Sequence, residues 1–125
     1  MTSEPSVRAR RVGRSIRDQV AVMVTRVLKD PGTAGAGVTR VEMSDDLRSA
    51  RVHVRLLQEG VDAPARRRKL LAALNRAAGL IRSEVGRNLR LRHAPDLRFL
   101  YDDGTDQVAR IEALLREIAA ERKAP

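Results

Sequence analysis

The chain has 125 residues, no cysteine and 42% apolar residues, enough for one domain with a core, and it excludes a disulfide framework or a thiolate metal site. Its formal net charge is +9, and the excess lies upstream of Phe99, because the segment from Phe99 to Pro125 holds four basic residues and six acids. So lopsided a charge points to one surface for a polyanion rather than to general solubility. No apolar run is long enough for secretion or for crossing a membrane, so the expected compartment is the cytoplasm.

Residues 1–6 read as a flexible lead-in. Val12, Ile16, Val20, Met23 and Val27 then recur at helical spacing, with Arg10, Arg14 and Arg17 on the far side. Asp30-Pro31-Gly32 stops this helix near Lys29, and Thr33 to Gly37 is a loop by composition. Two strands follow. Thr39, Val41 and Met43 alternate with Arg40, Glu42 and Ser44, and Ala50, Val52, Val54 and Leu56 alternate with Arg51, His53 and Arg55. Strict period-two patterning argues for an antiparallel pair whose wet face carries Arg40, Arg51, His53 and Arg55.

After a second loop at Gly60 to Pro64 comes a long basic helix, from about Arg66 to Arg92. Leu71, Leu74, Ala78, Ile81, Val85 and Leu89 form its apolar stripe, and Lys69, Arg76, Arg87 and Arg90 fall on roughly the opposite side. Between Arg66 and Arg98 stand ten Lys and Arg residues but only two acids, Glu84 and Asp96. Gly79 and Gly86 weaken this helix by about 1 kcal/mol each relative to Ala. His93-Ala94-Pro95 breaks it. Leu97, Phe99 and Tyr101 alternate as a third strand, and Val108, Ile111, Leu114, Leu115 and Ile118 make a short amphipathic last helix. Residues 7–118 therefore read as one domain, and 119–125 as a flexible tail.

The order implies a two-layer α+β domain. In four segments the residues also resemble a family. RRVGRSIRDQVAVMVTRVLKDPG, VTRVEMSDDLRSARVHV, LNRAAGLIRSEVGRNLRLRHAPDLRFLYDDG and RIEALLREI resemble bacterial ribosome-binding factor A, in family order and over nearly the whole chain. The resemblance implies a type II K-homology-like fold: helix, strand, strand, kinked helix, strand and an extra C-terminal helix. Helices would cover one face of a three-stranded sheet. It also implies that the GXXG loop of ordinary K-homology domains is replaced by a small-residue kink, here Ala77-Ala78-Gly79.

The implied partner is the free, immature small ribosomal subunit with its 16S rRNA, bound by a monomer that assists late maturation and is associated with growth in the cold. The candidate RNA-binding residues are Arg76, Ala77, Ala78, Gly79, Arg82, Arg87, Arg90 and Arg92, with Arg10, Arg14 and Arg17 as a second basic face. Phe99 and Tyr101 sit at strand positions that suit a core, which leaves no stacking platform for unpaired bases and points to phosphate and shape recognition. His53 reads as an exposed bystander and His93 as a helix-end cap. Asp45-Asp46 and Asp102-Asp103 fit turn chemistry rather than acid–base pairs. No catalytic residue, metal site, cofactor, small-molecule substrate or membrane contact is expected. The rival readings are a DNA-compacting basic protein, from the same charge, and an RNA-modifying enzyme.

Overall fold

The structure is a computed structural model, and residues 6–123 of it are described below; the rest of the expected lead-in (1–5) and residues 124–125 lie outside them. Helix α1 (Val7–Val22) starts where Ser6 Oγ accepts the Ala9 N–H at 3.0 Å. A π-helical turn (Met23–Val27) continues it, closed by the Leu28 N–H on the Met23 carbonyl at 2.8 Å, and Met23 and Val24 are both buried. Asp30 then caps a short 3-10 turn (Pro31–Thr33) by accepting the Gly32 N–H at 2.9 Å.

Strands β1 (Ala36–Met43) and β2 (Ser49–Leu56) pair antiparallel, and β3 (Asp96–Tyr101) lies parallel to β2, giving the order β1-β2-β3. A parallel pair needs a long crossover, which α2 (Ala63–Asn88) supplies, with proline in its first turn. The β1–β2 register slips between Val38 and Arg40, so Thr39 is an extra, bulged residue. Val38 therefore joins Val41 and Met43 on the apolar side, where the sequence reading places Thr39. The Thr39 hydroxyl turns to Asp102 Oδ2, 2.7 Å away.

Ala50, Val52, Val54 and Leu56 of β2 and Phe99 of β3 pack against Ile16 and Val20 of α1 and Leu70, Leu74, Ile81 and Val85 of α2. Both helices thus cover one face of the sheet, and each large aliphatic side chain buried there contributes about 1.5–3 kcal/mol. Gly13 lets α1 approach β1 closely, since a Cβ there would lie 3.2 Å from the Val41 carbonyl oxygen.

Three expectations are revised. The stripe of α2 is centred on Leu70, which is fully buried, while Leu71 is only half-buried. Gly79 lies within α2, which is helical throughout Ala63–Asn88, and it serves no close approach of another element: a Cβ on Gly79 would meet nothing within 4 Å. Packing of Leu70, Leu74, Ile81 and Val85 on both sides of Gly79 outweighs its poor propensity. Finally, α3 (Thr105–Lys123) runs on through residues assigned to a tail, and its apolar stripe does not enter the core. Val108, Ile111, Leu114, Leu115 and Ile118 are 39–59% exposed, because α1 and α2 already close the apolar side of the sheet.

Candidate nucleic-acid interface

With one side of α2 fixed in the core, the 100° step per residue dictates what the other side shows. Lys69, Arg76, Ser83 and Arg87 lie within about 20–40° of one another and are all exposed. Lys69 and Arg76 stand about 10 Å apart along the helix axis, and Arg76 and Arg87 about 16 Å, so the row spreads its positive charge over about 27 Å. Arg76 donates to Asp30 Oδ2 at 2.7 Å, and Arg87 lies 3.2 Å from Glu84. The Arg76 hydrogen bond, aided by the Gly32 N–H, holds the Asp30 carboxyl below its ordinary range. Arg76 stays 64% exposed, and a guanidinium has five N–H donors, so its outer edge remains available. Among the described residues none of the α3 glutamates pairs with these arginines.

The other candidate residues are placed differently. Arg82 is six residues beyond Arg76, about 120° round the helix. Its guanidinium donates to the Ala94 carbonyl at 3.2 and 3.0 Å and lies 3.3 Å from Asp96, tying α2 to the turn before β3. Ala77 and Ala78 are half-buried against the core, and Gly79 is exposed beside the basic row. Arg90 and Arg92 are exposed on the turn after the helix. Arg90 holds φ +52°, the left-handed conformation that normally falls to glycine at a helix C-terminus, and the Leu91 N–H closes the cap on the Gly86 carbonyl at 3.0 Å.

Arg10, Arg14 and Arg17 do not join the α2 row. Gln19, about 180° round α1 from Arg10, accepts the Asn88 side-chain N–H of α2 at 2.9 Å. The arginine row therefore faces away from α2, and it lines a small cleft against β1 together with Arg40 and Val41. At the start of α2, Arg66 and Arg67 are committed to the preceding loop: Arg66 donates to the Gln58 carbonyl at 2.9 Å, and Arg67 holds Glu59 at 2.7 Å. Arg67 also stacks 4.4 Å over the Tyr101 ring, whose hydroxyl donates to Glu59 and accepts the Leu56 N–H at 3.1 Å. Phe99 is core, as its strand position implies, whereas Tyr101, expected there too, is half-buried and clasps Glu59 and Arg67.

His53 is not exposed but 5% accessible, with Nε2 2.7 Å from Glu42 Oε1. Burial pushes the Glu42 carboxyl up, but Arg51, His53 and Arg40 together outweigh it and leave it below its ordinary value. Three of the four aspartates serve turns, while Asp45 instead accepts the distant Ser6 N–H at 2.9 Å. Asp46 accepts the Arg48 N–H at 3.1 Å, Asp102 that of Gly104 at 3.0 Å, and Asp103 that of Thr105 at 2.9 Å. His93 is exposed, at the helix end. Among the described residues no group of His, Cys, Asp or Glu could hold a metal, and no helix is long and apolar enough to cross a membrane.

A mixed three-stranded sheet in this order, covered by helices on one face and with a basic helical ridge outside, defines a K-homology-like domain of the type II order. The family profile described as ribosome-binding factor A matches residues 8–115. Ribosome-binding factor A of Sorangium cellulosum is 49% identical over 111 residues, covering 89% of this chain and 88% of that one. The crystal structure of ribosome-binding factor A from Thermus thermophilus superposes with a TM-score of 0.60 at 26% identity, covering 74% of this chain and 94% of its own. Thermus thermophilus coordinates fitted into the cryo-EM map of a 30S complex with the factor give a TM-score of 0.55 at 27% identity, over 70% of this chain and 88% of that one. The chain belongs to the ribosome-binding factor A family.

Proposed function

We propose that this protein binds the free, immature small ribosomal subunit as a non-catalytic factor and assists the late maturation and processing of its 16S rRNA. The observation that carries this reading is the exposed row Lys69, Arg76 and Arg87 on the outer side of α2, in a chain whose relative has been fitted into a 30S complex. Arg90 and Arg92 extend the row past the helix end, and Gly79 beside it leaves room for an RNA backbone. Arg10, Arg14 and Arg17 supply phosphate contacts from another side. Arg82 acts through the fold, by fixing the turn that carries Arg90 and Arg92. With no exposed aromatic ring on the row, recognition rests on phosphates and the shape of folded RNA.

The mechanism is occupancy. Guanidiniums neutralise crowded phosphates and hold ribosomal helices in one arrangement, with the domain acting as a monomer in the cytoplasm and needing no cofactor. About five phosphate contacts give a log–log salt slope near −4. Co-sedimentation with free small subunits, whole ribosomes and duplex DNA at moderate salt tests the reading. Retention on free small subunits alone is expected. Equal retention on DNA would make the protein a nucleoid component instead.

A further inference from the structure

The sheet has a second face, and it is basic. Alternation along β2 and β3 turns Arg51, Arg55 and Arg98 away from the helices, and all three are exposed. In the parallel register Arg51 stands directly opposite Arg98. Like charges facing each other across strands are destabilising, and among the described residues only one of this pair has a carboxylate counter-ion. Arg51 lies 3.2 Å from Glu42, whereas Arg98 has no acidic partner among the described residues.

An open groove runs across this face, and Arg10 of α1 and Arg110 of α3 line it with Arg51 and Arg98. Its acids are already engaged: Glu42 by Arg51 and His53, Asp45 by the Ser6 N–H at 2.9 Å, and Asp96 by Arg82. Arg10 also lines the cleft of Arg14 and Arg17, so the α1 row and the sheet face form one continuous surface. That surface lies across the domain from the α2 row, because the core separates the helices' outer side from the sheet's open side.

We infer that the open sheet face is a second RNA-backbone site, and that the domain bridges two separate RNA helices, one on α2 and one on the sheet. Its ligand is the phosphate backbone rather than unpaired bases, since the aromatic residues Phe99 and Tyr101 point to the opposite, core side. This inference rests on the proposed function only in taking the α2 row as the first RNA site.

The test mixes donor-labelled and acceptor-labelled RNA duplexes of about 20 base pairs with the full chain and reads energy transfer between them. Transfer is expected with the native protein. Arg51→Glu with Arg98→Glu should abolish transfer while single-duplex binding at the α2 row persists, its salt slope unchanged. Arg98→Glu alone places opposite charges across the strands, so its melting temperature should not fall; Arg98→Gln repeats the test without a charge reversal. Single-duplex binding without transfer by the native protein would overturn the inference and leave the proposed function standing, as would undiminished transfer by the sheet variant. Failure of the native protein to bind any duplex would instead overturn the first RNA site. Displacement from the sheet face by polyglutamate but not by RNA would assign it to an acidic protein and overturn the proposal.

Discussion

Gly79→Ala and Gly86→Ala, made separately, are expected to move stability in opposite directions although both residues lie in α2. Removing a glycine from a helix interior gains about 1 kcal/mol. At Gly79 nothing opposes that gain, because the added Cβ meets no atom within 4 Å. The melting temperature should rise by about 4 °C for a chain of this size. At Gly86 the same carbon would lie 3.0 Å from Ala94 Cβ and 3.6 Å from Ala94 Cα. Carbon atoms prefer separations of about 3.5–4.0 Å, and Arg82 ties the turn carrying Ala94 to α2 by two hydrogen bonds, at 3.2 and 3.0 Å. Overpacking of this kind costs about 1–3 kcal/mol, which exceeds the propensity gain and leaves a net loss of up to about 2 kcal/mol. Urea unfolding followed by far-UV circular dichroism, with unchanged m values, reads both effects. Adding Ala94→Gly to Gly86→Ala removes the struck carbon and should recover the lost stability. A midpoint for Gly86→Ala that rises as far as that of Gly79→Ala would refute the reasoning, since it would mean that the turn yields freely.

Gly79→Leu should also keep the fold, but its side chain would stand beside Arg76 and weaken binding to small subunits; full retention would make the open space irrelevant. Arg76→Glu with Arg87→Glu should abolish subunit binding with little change in melting temperature, because exposed ion pairs contribute at most about 1 kcal/mol; unfolding of that variant would show instead that the Arg76–Asp30 contact is structural. Arg90→Gly should stabilise the domain by about 1 kcal/mol by relieving the left-handed backbone, while binding falls for want of a guanidinium. The carboxyls of Asp30, Asp46, Glu59, Asp102 and Asp103, chiefly through side-chain hydrogen bonds, and that of Glu42 all lie below their ordinary values. A depressed folded pKa gives stability that is complete above the unfolded value and lost as pH falls through the folded one, so urea midpoints should hold level from neutrality to about pH 5 and drop below about pH 4. A fall between pH 7 and pH 5 would contradict that assignment.

Which of these features the chain announces in advance depends on how far the cause reaches along it. The faces of α1 and α2 follow from residues three and four apart, so the core residues Ile16, Val20, Leu74, Ile81 and Val85 and the outward Arg76 and Arg87 are legible from periodicity. The same 100° step separates Arg82 from Arg76 and sets it nearer the apolar edge, so a structural role for it was legible too. The strand alternation likewise placed Arg51 and Arg55 outward. The bulge at Thr39 left no such trace, because it depends on how β1 meets β2. His53 was read as exposed for the same reason: alternation gives the face of the sheet but not its cover, which here includes Glu42, set against it by that bulged register.

Partners remote in sequence were illegible altogether. Asp30 precedes Arg76 by 46 residues, and nothing local marks either as the other's counter-ion. The amphipathic pattern of α3 was legible but its exposure was not, because a stripe specifies that a helix has an apolar side and never that a surface remains to receive it. In this fold two helices suffice to close the apolar face of three strands. Of the residues that alternate onto the other face, His53 is buried against Glu42, whereas Arg51, Arg55 and Arg98 stay exposed. That all three of these are arginines is therefore not explained by the needs of the core.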